Sequence, residues 1–175
     1  MARGAVRRGL ERNGTPLSLD SLSPRLRAPA ATFVTLRRQH ELLGCIGTLE
    51  PIRPVATDVD HNAASAAFAD PRLPAVTWSD YESLSIKISV LGPIVPLDVP
   101  NLTVLERMVR PGIDGLLIRD GHRRGTFLPS VWEQVPDISS FLSLLWEKAG
   151  LAPGSWPSEL RVSCYQTVEF GDSGR

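Results

Sequence analysis

The residue best suited to chemistry in this chain is Cys45, which lies between Gly44 and Gly47. Glycine inside a strand often marks a bulge or a close approach of two backbone segments. Such geometry can turn the Cys45 side chain, or a backbone N–H of Cys45 or Ile46, toward a binding cleft. A thiolate there could act as a nucleophile if a nearby cation lowered its pKa. The alternative interpretation is that the glycines permit tight packing and Cys45 is a core residue.

Two further clusters carry charged groups that could line the same cleft. Asp70 and Arg72 flank Pro71, either as a local ion pair that ends a helix or as a polar wall of a site. Arg123 and Arg124 follow each other in a predicted strand, so their side chains point to opposite faces, and one of them could face a site. The candidate cleft residues are therefore Gly44, Ile46, Gly47, Asp70, Arg72 and Arg124, with Cys45 as the candidate catalytic group.

Other chemistry-bearing residues form no recognisable motif. His40, His61 and His122 are isolated in the sequence and lack the spacing of metal ligands, so a Cys–His pair has no support from the chain itself. We find no phosphate-binding glycine loop, and we expect neither a metal nor a cofactor. Cys164 falls on the apolar face of the last predicted strand, and we expect it to be packed.

Periodicity and capping residues predict the elements that position these groups. Strands and helices alternate without a regular βαβ rhythm, which favours the α+β class. The chain divides into an amphipathic N-terminal helix over 2–12, strands near 31–36 and 42–47, a helix from Pro54 that stops before Pro71, a strand over 86–90, a helix from 101 to 108, a hairpin around Asp120-Gly121, a helix from 137 to 149 and a C-terminal strand over 160–170.

Composition limits the classes of protein that this chain can represent. Its 175 residues, 42% of them hydrophobic, fit a single domain over 1–175. Lys plus Arg and Asp plus Glu both number 19, so the net charge is zero and nucleic-acid binding is not expected. No apolar run is long enough to span a membrane, and the N-terminus lacks the apolar region of a signal peptide. We therefore expect a cytoplasmic protein with no membrane contact.

An ordered series of segments resembles one known family. Phe33-Val34-Thr35-Leu36 and Gly44-Cys45-Ile46-Gly47 are similar to the signature of the AMMECR-type domain, called AmmeMemoRadiSam system protein A in prokaryotes. The resemblance continues through the segments Asn62-Ala63-Ala64, Asp70-Pro71-Arg72, Ile86 to Pro93, Gly121 to Val131 and Lys148 to Leu151. One departure is Leu43, which stands where the family usually has Arg.

The resemblance implies a fold and a cellular context. The family fold is α+β, a mixed and mainly antiparallel sheet with flanking helices, built as a larger and a smaller lobe with a cleft between them. Prokaryotic members accompany a Memo-like protein and a radical-SAM protein. Two functions stay open: a binding or regulatory component of such a modification system, and a cysteine-dependent enzyme or small-molecule-binding protein that uses a cleft at Cys45.

Overall fold

The computed structural model describes residues 1–12 and 14–172, which divide into two compact units. The first and larger unit comprises residues 1–91 and 168–172, and the second comprises residues 92–167. One four-stranded antiparallel sheet has the strand order β2 (Glu41–Gly47), β1 (Thr32–Arg38), β3 (Leu84–Leu91) and β8 (Thr167–Asp172). The other has the order β4 (Val95–Leu97), β7 (Arg161–Tyr165), β5 (Gly115–Asp120) and β6 (Arg123–Phe127). The α+β class expected from the sequence is confirmed.

The first unit places its helices against a sheet with alternating faces. Its helices are α1 (Ala2–Glu11), α2 (Pro24–Arg27), α3 (Val55–Phe68) and α4 (Trp78–Glu82). Its strands are β1 (Thr32–Arg38), β2 (Glu41–Gly47), β3 (Leu84–Leu91) and β8 (Thr167–Asp172). Val34 and Leu36 of β1 are fully buried in a core with α1 and α3, whereas Thr35 between them is not. The period of two in β1 therefore separates a core face from a polar face.

The N-terminal helix α1 ends at Glu11, one residue before the predicted end. It buries its apolar stripe at Ala2, Ala5 and Val6, as its periodicity predicts. Arg12 follows it in the left-handed conformation at φ 54°. Among the described residues, no helix combines the length and the apolar character needed to cross a membrane.

A buried carboxylate joins α3 to the sheet. Asp58 is 1% exposed, and one of its oxygens accepts hydrogen bonds from the Thr32 N–H at 2.9 Å and the Thr32 hydroxyl at 2.7 Å. The same oxygen accepts from Thr48 Oγ1 at 2.7 Å and from Asn62 Nδ2 at 3.0 Å. This convergence of donors satisfies a charge that would otherwise oppose burial, and it fixes how α3 crosses β1.

The second unit has its own sheet and core. Its elements are β4 (Val95–Leu97), α5 (Leu102–Met108), β5 (Gly115–Asp120), β6 (Arg123–Phe127), a 3-10 helix (Pro129–Glu133), α6 (Ile138–Lys148) and β7 (Arg161–Tyr165). The rings of Trp132 and Phe141 stack with centroids 3.6 Å apart, and Trp146 is fully buried beside them. These large apolar side chains fill the space between α6 and the inner face of the sheet.

Local signals in the second unit were predicted correctly. Asn101 caps α5 by accepting from the Val104 N–H at 3.0 Å, and Asp137 caps α6 by accepting from the Ser140 N–H at 2.8 Å. Gly121 takes φ 58° in the turn between β5 and β6, a conformation that favours glycine.

The predicted single C-terminal strand over 160–170 is wrong. The chain instead forms β7 and β8, which belong to different sheets, with Gln166 between them. The Gln166 carbonyl accepts from the Gly92 N–H at 2.8 Å where the strands separate. Val168 and Phe170 continue the apolar alternation of β7 in the sequence. Their side chains are nevertheless 62% and 57% exposed, so they do not face the core that β7 faces. Alternation identifies a face of a strand but not the sheet to which the strand belongs.

Helix α3 crosses β2 at a point where only glycine fits. A Cβ atom built on Gly44 would lie 1.9 Å from the Ala66 carbonyl oxygen. The strand also bulges here, since Leu36 pairs with Gly44 and Arg37 pairs with Leu42, which leaves Leu43 without a partner on β1. Both properties expected of a strand glycine, a bulge and a close backbone approach, are therefore present beside Cys45.

We predict that Gly44→Ala destabilises the protein by about 3 kcal/mol, because the obstructing atom is backbone and α3 must move away from β2. Gly4→Ala is the matched control, since a Cβ at Gly4 would meet only the flexible end of Arg8 at 3.4 Å. In a helix that control should be neutral or stabilising by up to about 1 kcal/mol. Urea unfolding of both variants checks the prediction, and equal stabilities would contradict it.

Candidate functional site

The backbone of Cys45 is held by the two charged residues that flank Pro71. Strand β2 lies at an edge of its sheet, with β1 on one side only. The Cys45 N–H donates to Asp70 Oδ2 at 3.0 Å, and the Cys45 carbonyl accepts from an Arg72 guanidinium nitrogen at 3.0 Å. Asp70 and Arg72 therefore satisfy the edge of β2 as a further strand would. We call Asp70, Arg72 and the Cys45 backbone the edge clasp.

Asp70 and Arg72 also form a close ion pair. The Arg72 Nε lies 2.9 Å from one Asp70 oxygen, and an Arg72 terminal nitrogen lies 2.7 Å from the other. The Asp70 side chain is 1% exposed and that of Arg72 is 58% exposed. Hydrogen bonds from the Arg72 side chain, and then from the backbone N–H groups of Cys45 and Arg72, hold the pKa of Asp70 well below its usual range, against the opposing effect of burial. Asp70 therefore stays ionised and is a poor general base near neutral pH.

The Cys45 thiol lies on the polar face of the sheet. Gly44 faces α3, so the next residue along the strand faces the opposite side. Thr35, directly across on β1, donates from its hydroxyl to the Cys45 sulfur at 3.3 Å. Cys45 is half-buried and not bridged to Cys164. The thiol is thus neither enclosed in the core nor fully open to solvent.

A groove of about 280 Å³ lies on the same polar face, and Thr35 belongs to its wall. The lining residues come from β1, β3 and β8 and combine hydroxyls, charges of both signs and one aromatic ring: Thr35, Arg37, Ser85, Ile86, Lys87, Glu169, Phe170, Gly171 and Asp172. Lys87 pairs with Glu169 at 2.5 Å across this face. This groove was not predicted from the sequence, although the alternation of Thr35 and Arg37 with buried residues of β1 indicates its face.

The predicted cleft residues are divided between the two units. Gly44, Ile46, Gly47, Asp70 and Arg72 all lie in the first unit with Cys45. Gly47 lies under the Phe33 ring, where a Cβ would be 2.2 Å from a ring carbon. Arg124 belongs to the second unit, exposed on β6.

The histidines and the second cysteine take no part in the edge clasp. His40, His61 and His122 are exposed. Over residues 1–12 and 14–172, the side chains that hydrogen-bond to Cys45 are Thr35 at its sulfur and Asp70 and Arg72 at its backbone. Cys164 packs against the core of the second unit, and burial raises its pKa. Within the described part of the chain, no three His, Cys, Asp or Glu side chains converge in a way that could hold a metal.

Comparison with known proteins decides the family. The model of the AMMECR1 family matches residues 1–170, nearly the whole chain. The chain belongs to the AMMECR1 family. The resemblance that the segments around Cys45 and Asp70 indicated is therefore confirmed.

Relatives of this AMMECR1-family chain occur in archaea. A protein of Methanothermobacter thermautotrophicus is 35% identical over 176 residues, covering 99% of this chain and 92% of the relative. A protein of Thermofilum pendens is 34% identical and covers 97% and 85%. The crystal structure of an uncharacterized protein from Pyrococcus horikoshii superposes with a TM-score of 0.92 at 29% identity, covering 99% of this chain and 88% of that one. The fold is thus shared over nearly the full length.

We predict that Asp70→Asn lowers the free energy of unfolding by about 2 kcal/mol at pH 7, because a charge-assisted bond to the Cys45 N–H and the pairing with Arg72 are lost. The pKa of Asp70 is lower in the folded than in the unfolded protein. The contribution of the ionised Asp70 carboxylate to the stability of the fold is therefore complete above about pH 5, and it is lost progressively as the pH falls below about 4.

The difference in the free energy of unfolding between the wild type and Asp70→Asn should accordingly become smaller as the pH is lowered, as measured by urea unfolding between about pH 7 and pH 2.5. Asp20→Asn is the control, since Asp20 is exposed and this substitution removes the same negative charge. A deficit that stays constant down to pH 2.5 would show that the Asp70 charge does not stabilise the fold.

Proposed function

We propose that this AMMECR1-family protein is a binding or regulatory component that docks a Memo-like or radical-SAM protein in the cytoplasm. The observation that carries the proposal is the edge clasp. The acid and the base nearest to Cys45 bind its backbone N–H and carbonyl, at 3.0 Å each, so they are committed to holding β2. Groups fixed in this way support a rigid surface better than they support proton transfer.

The surface that we assign to docking is the polar face of the first unit where it meets β8. Phe170 is 57% exposed and lines the groove, and Val168 on the same strand is 62% exposed. Phe170 shares this groove with charged and hydroxyl residues, among them Arg37, Lys87 and Thr35. An aromatic anchor within a polar rim is the usual composition of a protein–protein interface.

The test is co-purification of the full chain with a Memo-like and a radical-SAM protein of the same organism, followed by calorimetric titration of any pair that forms. We predict that Phe170→Asp weakens the complex at least about tenfold, because it places a charge at the centre of an apolar contact. Ile52→Asp is the matched control, since Ile52 is 75% exposed in the same unit but lies outside the groove. Equal weakening by both variants, or failure of both proteins to bind, would contradict the proposal.

A second candidate, a cysteine-dependent enzyme or small-molecule-binding protein, is favoured by the charge next to the thiol. Arg72 interacts electrostatically with Cys45, and the Asp70 hydrogen bond and charge raise the pKa of Arg72, so the guanidinium remains positive. A fixed positive charge in the neighbourhood of a cysteine is typical of sites with reactive cysteines. In this function Cys45 is the nucleophile, and the groove next to Thr35 receives the ligand.

Thiol alkylation of the native protein separates the two candidates. If Cys45 is a nucleophile, we predict that iodoacetamide modifies it in the folded protein, and that Arg72→Gln slows this modification. Cys45→Ser identifies the modified residue. A Cys45 that resists alkylation in the native protein, while it reacts in urea, removes the nucleophile from consideration and leaves the docking function.

A further inference from the structure

Strand β8 closes one side of the first sheet, and its outer edge is open. In the order β2-β1-β3-β8 it has a hydrogen-bonded neighbour on one side only, and residues 168–172 are all exposed. Over residues 1–12 and 14–172, no side chain forms a hydrogen bond with the N–H or carbonyl groups of residues 167–171. The outer side of β8 therefore presents unpaired backbone groups.

The other three sheet edges in the described part of the chain are protected. The edge clasp binds the outer side of β2. Strand β4 has only three residues, and one of them is Pro96, which has no N–H to donate. Strand β6 carries Arg123 and Arg124, and its Thr126 carbonyl accepts from Lys148 Nζ at 3.0 Å. Short strands, proline, charge and covering side chains are the usual means by which proteins prevent pairing at an edge.

Strand β8 has none of these protections. It is six residues long and contains no proline. Its two acids are neutralised within the unit, Glu169 by Lys87 at 2.5 Å and Asp172 by Arg3 at 2.7 Å. Phe170 lies between the two acids and is 57% exposed. An exposed apolar edge without uncompensated charge is a template for pairing with another strand.

The ladder with β3 decides which backbone groups of β8 are open. The Gly92 N–H donates to the Gln166 carbonyl at 2.8 Å where β3 and β8 separate. Along an antiparallel strand, alternate residues direct their N–H and carbonyl groups to the neighbouring strand. The backbone groups of Phe170 therefore point toward β3, and those of Glu169 and Gly171 point outward.

We propose that β8 pairs with β8 of a second copy of this chain, antiparallel and centred on Phe170. In this register Glu169 of one copy lies opposite Gly171 of the other, so outward groups meet outward groups and each such pair exchanges two hydrogen bonds. The two Phe170 side chains lie directly opposite each other and form an aromatic pair. A shift of two residues would instead place the two Glu169 side chains opposite each other, which like charges disfavour.

A second copy suits this edge because β8 is complementary to itself. Val168 and Phe170, 62% and 57% exposed, share one face, so the two-fold pairing brings four apolar side chains together. The chain has 19 bases and 19 acids, so two copies do not repel each other at long range. The pairing does not rest on the docking function, but both use Phe170, so the dimer withholds the docking surface from a partner protein.

Light scattering on size-exclusion chromatography of the full chain, loaded at about 5 to about 500 µM, tests the pairing, since small interfaces give weak, concentration-dependent dimers. We expect the wild type to shift from monomer toward dimer. Phe170→Asp should weaken the dimer at least about tenfold, because it places two carboxylates opposite each other. Ile52→Asp is the matched control, since Ile52 is 75% exposed in the same unit but lies outside β8, and it should dimerise as the wild type does.

A second pair of variants tests the backbone hydrogen bonds. Glu169→Pro removes an outward N–H, and proline is tolerated at the edge of a sheet. Glu169→Ala also loses the contact with Lys87 but keeps the N–H. We expect Glu169→Pro to abolish the dimer and Glu169→Ala to retain it.

Oxidative cross-linking tests the register. Opposed residues of a non-hydrogen-bonded pair have Cα atoms about 4.5 Å apart, so Phe170→Cys should form an intermolecular disulfide. Val168→Cys should not, because the two positions 168 are about 13 Å apart along the strands. The wild type, whose Cys45 and Cys164 are half-buried, gives the background.

Three results would overturn the proposal: a wild type that stays monomeric at about 500 µM, equal weakening by Ile52→Asp, or equal cross-linking of Val168→Cys. All these measurements use the chain alone, so their failure leaves the docking function untouched.

Discussion

The first unit depends on how closely α3 approaches β2. Because Gly44 has no side chain, the Ala66 carbonyl lies against the strand backbone, and the last turn of α3 ends beside the edge of the sheet. The residues that follow the helix then reach Cys45 with Asp70 and Arg72. A larger residue at position 44 would separate helix from strand, and the chain after α3 would no longer reach the strand edge.

The close approach of α3 to β2 gives Asp70 and Arg72, the acid and base near Cys45, a structural role. An edge strand leaves backbone groups open to pairing with another chain, and proteins commonly protect such edges with charges or covering loops. Here one short turn does both, since Asp70 accepts from the strand and Arg72 donates to it. The clasp holds the backbone of Cys45 and leaves its sulfur on the opposite, polar face with Thr35. The backbone and the side chain of one residue thus serve different purposes.

Local sequence signals predicted much of this architecture. The caps Asn101 and Asp137 and the turn at Gly121 depend on neighbours a few residues away, and each was predicted correctly. The partners of Cys45 are 25 and 27 positions distant, and although Asp70 and Arg72 were proposed as a wall of the same cleft, their role as backbone ligands was not predicted. The division of residues 160–170 between two sheets was missed because alternation contains no information about which strand is adjacent. The groove was missed for the same reason, since β1, β3 and β8 come from three separate parts of the chain.

Charge balance in this chain is global but not local. Its 19 bases and 19 acids cancel, and ion pairs such as Arg38 with Asp80 place opposite charges in contact. Sheet register in the second unit brings Arg119, Arg124 and Arg161 into one line. A slip of β5 by one residue would turn Arg119 toward α6, so the packing of Leu116 and Ile118 into the core fixes Arg119 on the outer face. The hydrophobic core therefore decides which face of the sheet carries the charged side chains.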